Sequence, residues 1–144
     1  MSNIRLCRLI CLCGLVAPAC DSSHGPSVFP TPTVKLMVFS DPHYYDPSLG
    51  TSGAAFDNYV AHDRKLIAES DAVMRALVSA VNAENPDVVL IPGDLTKDGE
   101  QISHSSAASY LGQMKAQGRR IFVVPGNHDI QNAGAASYSG DACH

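Results

Sequence analysis

Val88-Val89-Leu90-Ile91-Pro92-Gly93-Asp94 decides the fold. It is a short, unbroken apolar run that stops on a glycine and a carboxylate. A run of this length and composition, bounded by turn residues, reads as a strand buried inside a sheet. The same design recurs on either side of it. Upstream, Val34–Ser40 runs into Asp41-Pro42-His43, and downstream Ile121–Pro125 runs into Gly126-Asn127-His128-Asp129. Each run ends in residues able to bind a metal. Open α/β sheets bind their ligands at the carboxyl edge of the strands, so three such ends converge on one place.

The segments between the runs supply the crossovers that parallel strands need. Leu66, Ile67, Val73, Met74, Leu77, Val78 and Val81 recur at three- and four-residue spacing and predict an amphipathic helix. Asn85-Pro86 ends it, because proline disfavours helix in the residue before it. A second helix is expected over Ser103–Gln117, with Ala107, Ala108, Leu111 and Met114 inward and Gly118 as its stop. Ser40 to about Asn58 reads as a long loop with a turn at Pro47-Ser48-Leu49-Gly50. Strands are expected at Val34–Phe39, covered on both faces, at Val88–Ile91 and at Ile121–Val124. The order is βαβαβ, and right-handed crossovers make all three strands parallel. No fourth strand is evident after Asp129.

Composition limits the function classes. The 144 residues leave room for one domain. An apolar fraction of 45% against 17% charged residues excludes a disordered chain. The net charge of −4, with ten scattered Lys and Arg residues, provides no basic stripe, so no nucleic-acid partner is indicated.

The first twenty residues read as a targeting segment. Arg5 and Arg8 precede a short apolar run, Leu9–Val16, and Ala17-Pro18-Ala19-Cys20 follows. The run is too short to span a bilayer, which takes about 20 apolar residues. The expectation is export to the periplasm or outer surface. Residues 1–20 form the signal, and either Cys20 is lipidated as a membrane tether or ordinary cleavage occurs near Ala19. Residues 21–32, rich in Ser, Pro, Gly and Thr, read as a flexible tether to a body over 33–144. Cys7, Cys11 and Cys13 lie in the segment to be removed. With Cys20 acylated or lost, Cys143 remains as a free thiol.

The clusters have a chemistry of their own. Asp41 and His43 offer an oxygen and an imidazole two residues apart, a pair that suits zinc, iron or manganese better than calcium. Asp94 follows a glycine that lets the chain turn sharply, and one carboxylate is able to bridge two cations about 3.5–4 Å apart. Asn127 adds a neutral oxygen. His128 beside it suits acid–base work, and Asp129 is placed to orient it. Each piece alone is ordinary turn chemistry; the three in order, each after a buried strand, point to a metal site. His24, His62 and His104 read as surface residues, and Asp98 and Glu100 as solvated turn residues. Tyr44 and Tyr45 read equally as an entrance or as a packed loop.

Asp41-x-His43, Gly93-Asp94-(x)4-Gly99 and Gly126-Asn127-His128-Asp129 together resemble the calcineurin-like metallophosphoesterase superfamily, over Val34 to Asp129. The exported form is similar to secreted bacterial members. The resemblance implies the N-terminal half of a four-layer αββα sandwich and two divalent metal ions, Mn, Fe or Zn. Asp41 and His43 would bind the first metal, Asp94 would bridge, and Asn127 would bind the second. His128 would be the catalytic acid that protonates the leaving oxygen of a small phosphoester. A metal-bound hydroxide would attack phosphorus, in a phosphatase or a phosphodiesterase reaction. The family's later motifs, an isolated histidine and Gly-His-x-His, are missing from this sequence. The body is therefore expected to be incomplete at its C-terminal side. Two alternatives stand beside the enzyme: a catalytically incompetent fragment that binds metal weakly, and a surface-tethered binding module.

Overall fold

The central strand forms as its composition requires, and its partners align beside it. The computed structural model describes residues 32–130 and 132–144. The expected signal, Cys20 and the tether as far as Thr31 lie outside the described residues. Thr33–His144 is one unit. Strands β1 (Leu36–Val38), β2 (Val88–Pro92) and β3 (Arg120–Val124) make a parallel sheet in the order β1-β2-β3. Leu36 sits opposite Val88, and Leu90 opposite Phe122.

The register sorts side chains into two faces. Val89 and Ile91 point to one face and are buried. They pack against Met74, Val78 and Val81 of α2 (Ser70–Glu84) and Ala107 and Met114 of α3 (Gln101–Lys115). Full burial of each large aliphatic side chain contributes about 1.5–3 kcal/mol, so this layer holds the unit together. Leu36, Val38, Phe122 and Val124 belong to the other face, and each is more than half exposed. The expectation of strands covered on both faces is thus corrected. Both crossover helices stack on one face, and among the described residues nothing covers the other.

Three further expectations change. The long loop contains a helix, α1 (Ala54–His62). Its inward side chain Phe56 packs with Tyr45, Ile67 and Tyr138 in a second, smaller cluster. Gly53 at its start has φ +99°, and a Cβ there would meet the Gly140 carbonyl oxygen at 2.1 Å. Only glycine satisfies both conditions. Ile67 belongs to this second cluster and not to the α2 stripe, because α2 begins at Ser70. The buried Ser70 hydroxyl lies 3.1 Å from both the backbone N–H and the carbonyl of Tyr45, fixing that boundary.

The segment after Asp129 is also structured. A short helix α4 (Asn127–Ile130) is followed by a hairpin of β4 (Tyr138–Ser139) and β5 (Ala142–Cys143), paired antiparallel. Ser137 and His144 extend the pairing through two backbone hydrogen bonds of 2.9 Å. Expecting no further strand was wrong, because two-residue strands carry no periodicity to read. The hairpin is held by buried Tyr138 in the second cluster. Cys143 is a free, exposed thiol within it.

Helix ends follow the sequence more closely. Asn85 caps α2 in the left-handed region, φ 45°, as Asn and Gly commonly do before a proline. No helix among the described residues is long and apolar enough to cross a membrane.

Candidate metal centre

The loops after β1, β2 and β3 meet at the carboxyl edge, as the strand order requires. The first two run side by side beyond their strands. The N–H of Asp41 donates to the Gly93 carbonyl (3.3 Å), that of His43 to Asp94 (3.1 Å) and that of Tyr44 to Leu95 (2.9 Å). This ladder brings Asp41 and His43 alongside Asp94. Tyr44 and Tyr45 anchor it, both almost fully buried, so the packed-loop reading holds and the entrance reading does not.

The backbone at the edge is strained where the ligands sit. Four non-glycine residues have positive φ, and three are Asp41 (55°), His43 (42°) and Asp94 (43°). Such conformations cost of order 1–3 kcal/mol each and persist where the surroundings fix them, often at functional sites. The third loop approaches very closely. A Cβ on Gly126 would lie 2.1 Å from Asp94 Oδ1, so only glycine fits between the loops.

Asp129 ties the second and third loops together. Its Oδ2 accepts from the N–H groups of Leu95 (3.0 Å) and Gly126 (2.9 Å). Its Oδ1 accepts from the N–H and the hydroxyl of Thr96, both at 2.8 Å. Burial raises the pKa of this carboxyl, but the donors outweigh burial and hold it below the ordinary value. Asp129 therefore does not orient His128. Asp98 does: its Oδ1 lies 2.6 Å from His128 Nδ1. A carboxylate accepts only, so Nδ1 donates and Nε2 is left facing away from Asp98. Asp98 Oδ2 takes a 2.6 Å ion pair from the fully buried Lys97. Burial pushes the Asp98 carboxyl up, yet the hydrogen bonds from Lys97 and His128 and the charges of Lys97 and Lys65 bring it below its usual value.

Asp98 is the residue that sequence reading missed, and Glu100 is also buried instead of solvated. The signal was faint: Asp98 precedes Gly99 in a loop whose polarity looked solvated. Lys97 Nζ stands 4.6 Å over the Tyr59 ring, a contact supplied by α1, which the sequence did not reveal. His104 is likewise not a simple surface residue, since its Nε2 lies 3.0 Å from the Asp129 carbonyl.

Ligand atoms of His43, Asp94 and His128 lie within 4.8 Å of one another. The two imidazole rings meet edge to face, with centroids 4.9 Å apart. Asp94 Oδ1 also accepts the His128 backbone N–H at 2.9 Å. His43 Nδ1 is buried without a hydrogen-bond partner, an orphaned lone pair or N–H of the kind that a bound cation explains. Two imidazoles and a carboxylate are a donor set suited to zinc, iron or manganese. The residues thus fit a divalent metal. Asp41 stands exposed at the same edge and is not part of this tight group, and Asn127 is exposed at the start of α4.

Comparison with known proteins identifies the family. Residues 34–143 match the family model described as calcineurin-like phosphoesterase. A transmembrane protein with metallophosphoesterase domain from Danio rerio is 48% identical over 60 residues, covering 42% of this chain and 13% of that protein. A probable cyclic nucleotide phosphodiesterase of Rhodopseudomonas palustris is 31% identical over 110 residues, 74% of this chain and 34% of that protein. A 3',5'-cyclic adenosine monophosphate phosphodiesterase of Haemophilus influenzae is 28% identical over 103 residues, covering 69% of this chain and 31% of its own length. The chain spans between 13% and 34% of the length of these relatives.

Proposed function

The chain belongs to the calcineurin-like phosphoesterase family, and from that premise we propose that its carboxyl edge hydrolyses a phosphoric ester with two divalent cations. The observation that carries the reading is the meeting of His43, Asp94 and His128 within 4.8 Å on left-handed backbone. Asp41 and His43 would hold one cation, Asp94 would be shared, and Asn127 would serve the second. Bound cations neutralise the phosphoryl oxygens and make water acidic enough to attack near neutral pH. A doubly protonated His128 would give its Nε2 proton to the leaving oxygen, while Asp98 accepts from Nδ1 and fixes the ring's orientation. Gly126 keeps the third loop close enough for this donor to reach the ester. The relatives' names favour a diester.

The proximity of His128 to His43 and Asp94 favours a second reading, in which these three ligate a single cation. Metal analysis of purified protein loaded with Zn²⁺ or Mn²⁺ separates the two. A dinuclear centre gives two ions per chain, and His128→Asn keeps both while hydrolysis of bis(4-nitrophenyl) phosphate falls. One ion per chain, lost in His128→Asn, overturns the dinuclear reading. The N-terminal pattern supports export, with Cys20 as a lipid anchor. Mass spectrometry of the mature N-terminus tests this, and an unmodified residue other than Cys20 would sink the anchor.

A further inference from the structure

Beside the metal ligands lies a cavity of about 420 Å³. One wall is the β1 loop, including Asp41 and His43. The opposite wall comes from the connection between α1 and α2 and from α2 itself: Arg64, Lys65, Leu66, Val73 and Leu77. Its size is within the range of small-molecule sites and far above what a bare phosphate needs. Sharing Asp41 and His43 makes it continuous with the site where the ester would react.

The two cations on its wall differ. Lys65 is occupied, with Nζ 3.4 Å from Asp63 and 3.7 Å from Asp98. Arg64 is exposed and makes no hydrogen bond or ion pair among the described residues. Leu66, next to both, lines the cavity and is 66% exposed. An unengaged guanidinium beside an apolar wall suits an organic group that carries its own negative charge, because a guanidinium pairs with a planar anion through two parallel bonds.

We infer that this cavity is the subsite for the organic group of the substrate, and that the group is apolar with a second anionic substituent met by Arg64. The inference rests on the proposed hydrolytic reading for the placement of the reacting phosphate. Val73 and Leu77 line the floor, Leu66 closes over the group from the rim, and Arg64 reads its charge. Esters lacking the second charge still enter but lose the Arg64 contact.

The test uses the 144-residue chain with Zn²⁺ and two non-hydrolysable probes, benzylphosphonate and 4-carboxybenzylphosphonate. Methyl NMR follows Leu66, Val73 and Leu77 during titration. Both probes are expected to shift these methyls, with the carboxylated one binding more tightly. Arg64→Gln weakens the carboxylated probe about tenfold, the loss of one charge-assisted contact, and leaves benzylphosphonate within about twofold. Leu66→Ser weakens both. Both positions are exposed, so the variants fold. Methyls that neither probe moves overturn the inference, as do equal effects of Arg64→Gln on the two probes, nil included. Methyl shifts without any hydrolysis of aryl esters sink the proposed function and leave the subsite standing. Hydrolysis without methyl shifts does the reverse.

Discussion

The two sides of the ligand edge carry similar side chains but are held in opposite ways. On the β2–β3 side, Asp129 gathers three backbone N–H groups and a hydroxyl, Asp98 grips both His128 and buried Lys97, and Gly126 presses against Asp94. On the β1 side, the loop is attached to its neighbour by backbone hydrogen bonds, and Asp41 projects exposed at left-handed φ. The locked side fixes His128 beside Asp94, while the open side borders the cavity proposed for the organic group of a substrate. Under the proposed function, chemistry and recognition would be divided between neighbouring loops, with Asp94 at the seam.

Breaking the seam should have the largest effect. Asp94→Asn keeps the acceptor for the His128 N–H but removes the charge that cations need. Hydrolysis should fall on the order of 10²–10³-fold, with thermal unfolding little changed; retained activity in steady-state assays would refute the metal mechanism. Next comes the lock itself. Asp129→Ala leaves buried N–H groups of Leu95 and Thr96 unpaired and should cost about 3 kcal/mol in urea unfolding. A loss below about 0.5 kcal/mol would mean the two loops do not depend on this carboxylate.

Asp98→Asn is subtler. It removes the charge paired with buried Lys97, at a cost in stability, and frees the His128 ring to reorient, so in the folded variant kcat should drop about 10–100-fold with little change in KM. A change confined to KM would argue that Asp98 does not act through His128.

The open side should respond to acid through Asp63. Burial raises its pKa, but hydrogen bonds from Tyr59 and Lys65 and the Lys65 charge bring it from 3.8 to about 2. A depressed carboxyl adds stability that is complete above the ordinary value and disappears as pH falls through the lowered one. Stability should therefore decline between pH 3.8 and about 2, by on the order of 1 kcal/mol after solvent screening. Asp63→Asn should flatten that slope, and an unchanged slope would assign the acid sensitivity elsewhere.

The smallest effect has the opposite sign. Asp41→Gly relieves left-handed strain at an exposed position and should stabilise the metal-free chain by up to about 1 kcal/mol. Destabilisation there would show that the open side is braced by a contact of Asp41 after all.

Much of this division was legible in the sequence, and the reason is local. Val88–Pro92 and its two sibling runs are short, apolar and punctuated, so strands, order and the converging ends follow from neighbours along the chain. Asn85-Pro86 stops a helix by backbone sterics alone. What escaped reading depends on distant partners. α1 is only nine residues long, too short to show a clear stripe, and it is held by the packing of Phe56 against Tyr45 and Tyr138. Asp98 looks like a turn residue until a buried lysine and a histidine from another loop are set against it. Asp98 took the role expected of Asp129, since adjacency to His128 in sequence does not determine which carboxylate reaches its ring.

The face of the sheet left bare among the described residues has a consequence for the chain in bulk. Leu36, Val38, Phe122 and Val124 give one side of a well-packed layer the surface of an oil droplet, while the helices on the other side are wet. Such a particle is amphiphilic, like a surfactant with a rigid skeleton. Its solubility should be governed less by net charge than by the tension of the surrounding water. Sulfate should drive it out of solution at lower concentration than chloride does, and cooling should make the exposed face easier to keep apart.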